Sequence, residues 1–169
     1  GIFETLHVVR GAPVAWELHL DRLEASARFA RLVLPLDREG LASLAAELCA
    51  RNGLAPDARE EAALRLTITR GAGGGHAPTV VGFLRAIPPG HRAKRDRGVD
   101  LWTLPFRRNE DAELARHKTT SYLASALGQE LLRERSRTIT AEGLFVGTDG
   151  AVLEGTASNV AIVVGDRLL

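Results

Sequence analysis

Three charged residues, far apart along this chain, have the types that one kind of chemistry requires. Lys118 stands in His117-Lys118-Thr119-Thr120-Ser121-Tyr122, just ahead of an apolar stretch with helical spacing. Arg22 lies near the start, on another helically spaced segment, and Glu154 lies near the end, between Leu153 and Gly155. An amine attacks carbonyl carbon, a guanidinium clamps a phosphate bidentately, and a carboxylate holds a proton on a ring nitrogen. Together those are the demands that pyridoxal 5′-phosphate places on a protein. Taken singly, each residue has a blander reading: a solvated lysine ahead of a helix cap, or an acid on the outer side of a hairpin.

Other candidate chemistry is weaker. Arg70-Gly71-Ala72-Gly73-Gly74-Gly75-His76 is glycine-rich, yet no Gly-Lys-Ser/Thr follows and Pro78 leads into a strand, so a flexible hairpin loop is expected there. His7, His19, His76, His91, His117 and Cys49 lack the short paired spacings of a zinc site, and no metal is expected. The basic run His91-Arg92-Ala93-Lys94-Arg95-Asp96-Arg97 has no interleaved aromatic, which favours a solvated loop over a nucleic-acid patch. Ser121, Ser125 and Ser158 lack the Gly-x-Ser-x-Gly elbow of a serine hydrolase.

The elements that must position these residues are readable as patterns. Ile2 to Val9 alternates as a strand, Arg10-Gly11-Ala12-Pro13 supplies a turn, and Val14 to Trp16 is expected to return beside it. From Glu17 to Leu34 an apolar stripe through Leu20, Leu23, Ala27, Ala30 and Leu34 predicts a helix, with His19, Arg22 and Ser26 on a different face. A second helix is predicted over Arg38 to Asn52, with Leu41, Leu44, Ala45 and Leu48 inward and Gly53 closing it. Strands are expected at Leu64 to Arg70, Thr79 to Ile87 and Val99 to Leu104, with a basic connection from Pro88 to Gly98. A non-periodic segment from Pro105 to Arg116 reads as a linker. A helix follows over Thr120 to Arg135, capped by Thr119 or Thr120, so that Lys118 stands at its entrance. Gly143 to Gly147 and Ala151 to Glu154 flank a Thr148-Asp149-Gly150 turn, Ser158 to Val164 is one more strand, and Gly165-Asp166 turns into Arg167-Leu168-Leu169. Helices and strands do not alternate regularly, which predicts an α+β class.

Composition agrees with a folded, water-soluble body: 169 residues, 45% hydrophobic and 25% charged. No apolar stretch approaches the roughly 20 residues of a bilayer span, so no membrane partner is expected. With 22 basic and 21 acidic residues the net charge is +1, too small to draw the chain to nucleic acid. One cysteine fits a reducing, cytoplasmic compartment. Met is absent, where ordinary usage would supply about four, and residues are expected before Gly1 and after Leu169.

Four segments carry a resemblance that covers nearly the whole chain. They are Ile2-Phe3-Glu4-Thr5-Leu6; His19 to Ala27 with its His-x-x-Arg-Leu; His117-Lys118-Thr119-Thr120-Ser121-Tyr122-Leu123; and Gly150 to Val160 with Glu-Gly-x-x-Ser-Asn. In this order the chain resembles the class IV aminotransferases, the fold-type IV pyridoxal-phosphate enzymes. That family takes in D-amino acid and branched-chain aminotransferases and aminodeoxychorismate lyases. The short spacing from Lys118 to Tyr122 is nearer to the D-amino acid and lyase groups.

The resemblance implies that Lys118 forms the Schiff base, that Arg22 contacts the cofactor phosphate, and that Glu154 pairs with the pyridine nitrogen, with Ser158 and Asn159 beside the cofactor. Thr120, Ser121 and Tyr122 are then substrate-side candidates. It also implies a two-domain fold: an N-terminal α/β domain over 1–105, a linker over 106–116, and the beginning of a β-rich cofactor-binding domain over 117–169, truncated at both ends relative to the family pattern. A homodimer is implied too. The expected reaction moves an amino group between an amino acid and a 2-keto acid. A lyase releasing pyruvate from 4-amino-4-deoxychorismate, a step of folate biosynthesis, is the alternative, and a cofactor-free dimeric binding protein of the same fold is a third.

Overall fold

The even-numbered residues of the first strand, β1 (Ile2–Val9), point to one side, and Ile2, Leu6 and Val8 are buried there. The computed structural model describes residues 1–57, 60–73, 76–87, 90–136 and 141–169, apart from the side chains of 90, 92, 93 and 95. It divides into two compact units: Gly1–Pro88 with Arg116–Ser121, and Pro89–Ala115 with Tyr122–Leu169.

In the first unit β1 lies between β2 (Ala12–Pro13) and β3 (Ala62–Thr69), and β4 (Thr79–Ala86) completes an antiparallel sheet of order β2-β1-β3-β4. The return strand is Ala12–Pro13 and not Val14 to Trp16. Arg10 and Gly11, at φ 51° and 72°, close a two-residue turn whose left-handed backbone suits a hairpin. Along β3 the alternation is as expected, with Leu64, Leu66 and Ile68 buried. Helix α1 (Trp16–Phe29) lays Leu20, Leu23 and Ala27 on that face, and α2 (Arg38–Arg51) adds Leu41, Ala45 and Cys49. Arg38, the first residue of α2, reaches Glu17, Asp21 and Glu24 of α1 at 2.5–2.7 Å and ties the two helices together.

Helix α1 stops five residues before the predicted Leu34. Arg31 turns left-handed at φ 48°, the Leu32 N–H bonds to the Ala27 carbonyl and the Arg31 N–H to that of Arg28. This is a Schellman closure with arginine where glycine is usual. Arg70 completes it by donating to the carbonyls of Ala30 and Arg31. The glycine-rich stretch joins β3 to β4 as a hairpin connection, with Gly74 and Gly75 outside the described residues.

In the second unit α3 (Gly90–Arg97) occupies the stretch expected as a basic connection or loop, although Pro88 and the Arg92, Ala93 and Arg95 side chains lie outside the described residues. Strand β5 (Asp100–Arg108) runs through Pro105, past the predicted end at Leu104. It is an edge strand, where a missing N–H is tolerated, and its register against β6 (Ala141–Gly147) slips between Thr103 and Arg107. β5 and β6 are parallel, and β6 and β7 (Val152–Gly155) form the expected hairpin. Helix α4 (Leu123–Arg135) starts three residues later than predicted, at Tyr122 without a side-chain cap. Of Ser158 to Val164 only β8 (Val163–Val164) is strand, paired with β9 (Arg167–Leu168). Among the described residues no helix is long and apolar enough to cross a membrane.

Leu64, fully buried at the centre of β3, tests the first unit's core. Leu64→Ala is expected to cost about 2–5 kcal/mol in urea unfolding.

Candidate active site

Glu4 stands on the inward register of β1 among Ile2, Leu6 and Val8, and only 1% of it is exposed. A carboxylate so placed must be paired or neutralised. Its partners come from the non-apolar face of α1. Arg22 donates from Nε to Oε1 at 2.5 Å and from Nη2 to Oε2 at 2.7 Å, and His19 Nδ1 lies 2.8 Å from Oε2. Burial pushes the Glu4 carboxyl up, but the hydrogen bonds and charges of Arg22 and His19 outweigh it and hold the group below its ordinary value. The same hydrogen bond raises Arg22.

The expected bidentate grip of Arg22 on a phosphate meets a geometric limit. Its Nε–Nη2 edge is taken by Glu4 and its Nη2 also lies 3.3 Å from His19, so the Nη1 end is what remains for an anion.

Lys118 also depends on β1. Its carbonyl accepts from the Phe3 N–H at 2.9 Å, Thr119 bridges antiparallel to Ile2, and the Thr120 N–H bonds to the Gly1 carbonyl at 2.9 Å. Residues 118–120 therefore lie extended along the part of β1 that β2 does not reach, and Thr119 and Thr120 are pairing residues, not helix caps. The Thr120 hydroxyl is committed to the Gly1 carbonyl. The Lys118 side chain is exposed, its Nζ is 5.8 Å from the centre of the Phe3 ring, and among the described residues no carboxylate pairs with it. Ser121 is exposed as well.

The second unit carries the other expected residues. Glu154 on β7 accepts through Oε1 from Arg108 of β5, whose guanidinium also lies 5.1 Å from the centre of the Phe145 ring. These two, with Glu110, Leu153, Asn159 and Val160, line an open concavity of about 490 Å³. Glu110 lines its rim: hydrogen bonds from the Thr148 N–H, from its own backbone N–H and from the Thr148 hydroxyl draw its carboxyl down to about 2. Asn159 follows a short loop in which the Gly155 N–H bonds to the Ser158 carbonyl at 2.8 Å. A Cβ at Gly155 would sit 2.1 Å from Ser158 Oγ, so a side chain there would force the Ser158 hydroxyl out of its place. Tyr122 donates its hydroxyl to the Thr156 carbonyl at 3.0 Å. Arg22, Lys118, Thr120 and Ser121 thus belong to the first unit, and Tyr122, Glu154, Ser158 and Asn159 to the second.

Sequence reasoning missed two contributors. Glu4 announced itself as the one charged residue on the inward register of an otherwise apolar alternation. Arg108 lay in a stretch read as linker, although Leu104, Phe106 and Arg108 continue the period of two on either side of Pro105.

With this geometry in place, comparison with known proteins is informative. Residues 1–169 match the amino-transferase class IV family, and the chain belongs to it. It is 37% identical, over 177 residues, to the bifunctional aminodeoxychorismate lyase / D-amino acid transaminase of Mycobacterium tuberculosis, covering 99% of this chain and 58% of that protein. It is 28% identical to the aminodeoxychorismate lyase of Bacillus subtilis, covering 95% and 54%. Among solved structures, the pyridoxal-phosphate-bound form of a hypothetical aminotransferase from M. tuberculosis superposes with a TM-score of 0.76 at 33% identity, over 96% of this chain and 58% of that one. The chain thus spans a little over half the length of these relatives. The family uses pyridoxal phosphate.

The Glu4–Arg22 pair gives a pH-dependent prediction. Because the folded Glu4 value is depressed, its contribution is whole above the ordinary carboxyl value of 4.5 and is lost as pH falls through the folded value. Glu4→Gln is expected to lower stability by about 2 kcal/mol at neutral pH. Urea unfolding between about pH 7 and about pH 3 should show the gap between wild type and variant narrowing toward the acid end.

Proposed function

We propose that the whole protein carries pyridoxal phosphate on Lys118 and transfers an amino group between an amino acid and a 2-keto acid. One observation carries the reading: a single strand, β1, holds both the cation and the amine, Arg22 through the Glu4 carboxylate and Lys118 through the backbone of Phe3. The donor set fits the cofactor. Arg22 keeps Nη1 for a phosphate oxygen, Lys118 presents an exposed amine without a paired carboxylate among the described residues, and Glu154 keeps Oε2 for a protonated ring nitrogen while Arg108 pins Oε1.

When bound, the cofactor supplies an electron sink for the bond that breaks at the substrate α-carbon. Lys118, freed once substrate takes its place, accepts the α-proton and returns it on the other side of the exchange. Asn159 lines the concavity beside Glu154, and Ser158 precedes it in the chain. Of the three substrate-side candidates, Thr120 and Tyr122 spend their hydroxyls on the Gly1 and Thr156 carbonyls, which leaves Ser121 as the donor for substrate.

Release of pyruvate from aminodeoxychorismate is the second reading; the name of the M. tuberculosis relative joins both activities, and that of the B. subtilis relative supports the lyase. The same lysine, arginine and glutamate serve either reaction. A homodimer belongs to the proposal, supported by Val81 and Phe83, which β4 leaves exposed. So does a cytoplasmic location, supported by the single buried thiol of Cys49.

Borohydride reduction of the whole protein with pyridoxal phosphate should fix an adduct on Lys118, and Lys118→Ala should abolish it. An adduct on another lysine would refute the assignment, and no adduct at all would favour a cofactor-free binding protein. Keto-acid formation from D- and L-amino acids, set beside pyruvate release from aminodeoxychorismate, separates transaminase from lyase.

A further inference from the structure

We infer that His117 is a positioning residue that seats the Lys118 segment on α1, an inference that rests on the function proposed above. The first unit is discontinuous, and the chain joins it at Arg116 and leaves after Ser121. A lysine side chain with four rotatable carbons places its amine reproducibly only if the backbone beneath it is fixed. Downstream, the fixing comes from β1 through residues 118–120. Upstream of the lysine, it comes from the His117 side chain. Its Nδ1 lies 3.2 Å from Oγ of Ser26, a residue only 2% exposed, and its ring stacks on Phe29 with centroids 4.1 Å apart and planes 17° from parallel.

Ser26 stands four residues after Arg22, one turn along the same helix face. One face of α1 therefore presents His19 and Arg22 to Glu4 and, a turn later, Ser26 to the residue before the amine. The helix that orients the phosphate-binding cation also sets the backbone of the nucleophile. A buried hydroxyl with a histidine partner and a near-parallel aromatic stack form a seat of defined shape, which a merely space-filling contact would not need.

The covalent step that this seat serves is a condensation: the neutral Lys118 amine adds to the cofactor aldehyde carbon, a C=N bond forms, and the carbonyl oxygen leaves as water. His117 touches none of the reacting atoms. Its removal should slow that step while leaving the holding of ring and phosphate alone.

The test uses the whole protein stripped of cofactor. Pyridoxal phosphate is added, borohydride stops the reaction at set times, and the modified Lys118 peptide is quantified by mass spectrometry. In parallel, 4′-deoxypyridoxine 5′-phosphate, which keeps the ring and phosphate but has no aldehyde, reports non-covalent affinity by fluorescence titration. H117A is expected to capture the cofactor about tenfold more slowly, with analogue affinity within about twofold of wild type. S26A, a smaller change, should slow capture about threefold, and H117N, whose amide can still meet Ser26, should recover part of the rate lost in H117A. R22A should show the opposite split, with weak analogue binding.

Capture at the wild-type rate in both H117A and S26A, or analogue affinity falling in step with capture, overturns the inference. If H117A does not fold, S26A and H117N decide by the same two readouts. No adduct at Lys118 in the wild type overturns the proposed function and the inference with it, whereas the other outcomes bear on His117 alone.

Discussion

A carboxylate sealed inside a sheet–helix interface must find cations, and the burial of Glu4 is the constraint on which the first unit's arrangement turns. Leu20, Leu23 and Ala27 would pack on β1 with some freedom to slide, since apolar contact is non-directional. The fork from Arg22 to Glu4 has direction, and with His19 on the same carboxylate it fixes the helix in rotation as well as position. It also decides which end of the guanidinium faces outward. The arrangement that holds Arg22 in place therefore commits its Nε–Nη2 edge to Glu4 and leaves Nη1 outside the fork.

β1 takes on a second task through its backbone. The bonds from Phe3 and Gly1 to residues 118–120 use main-chain groups, so they depend little on which side chains occupy those places. Side-chain pairing orients the cation and main-chain pairing orients the amine. In the second unit the pattern differs: Glu154 is held by Arg108, whose guanidinium lies over the Phe145 ring.

Much of this was legible in the sequence. Alternation in Ile2 to Val9 and Leu64 to Arg70 located two strands of the first sheet, because a half-buried strand must repeat every two residues. The two N-terminal helices were visible for the same kind of reason, and so was the hairpin around Thr148-Asp149-Gly150. The end of α1 was not, because its closure uses Arg31 in a conformation that usually signals itself with glycine. Pro105 hid the rest of β5, since only the sheet order shows that the strand is an edge. Thr119 and Thr120 read as caps because local spacing cannot reveal a partner more than a hundred positions away. The types of the candidate site residues were plain in the text of the chain; Glu4 and Arg108 stood out by register, but which side chains they pair with required the fold.

The interrupted layout of the first unit has a consequence for how the protein is made. Gly1 is synthesised before the segment that pairs with it, and the whole stretch from Pro89 to Ala115 lies between the two. Until that segment is made the start of β1 has no partner along this margin, and Lys118 is set in place only when the later segment docks. Assembly of the amine is thus timed after the surrounding scaffold, by chain order alone.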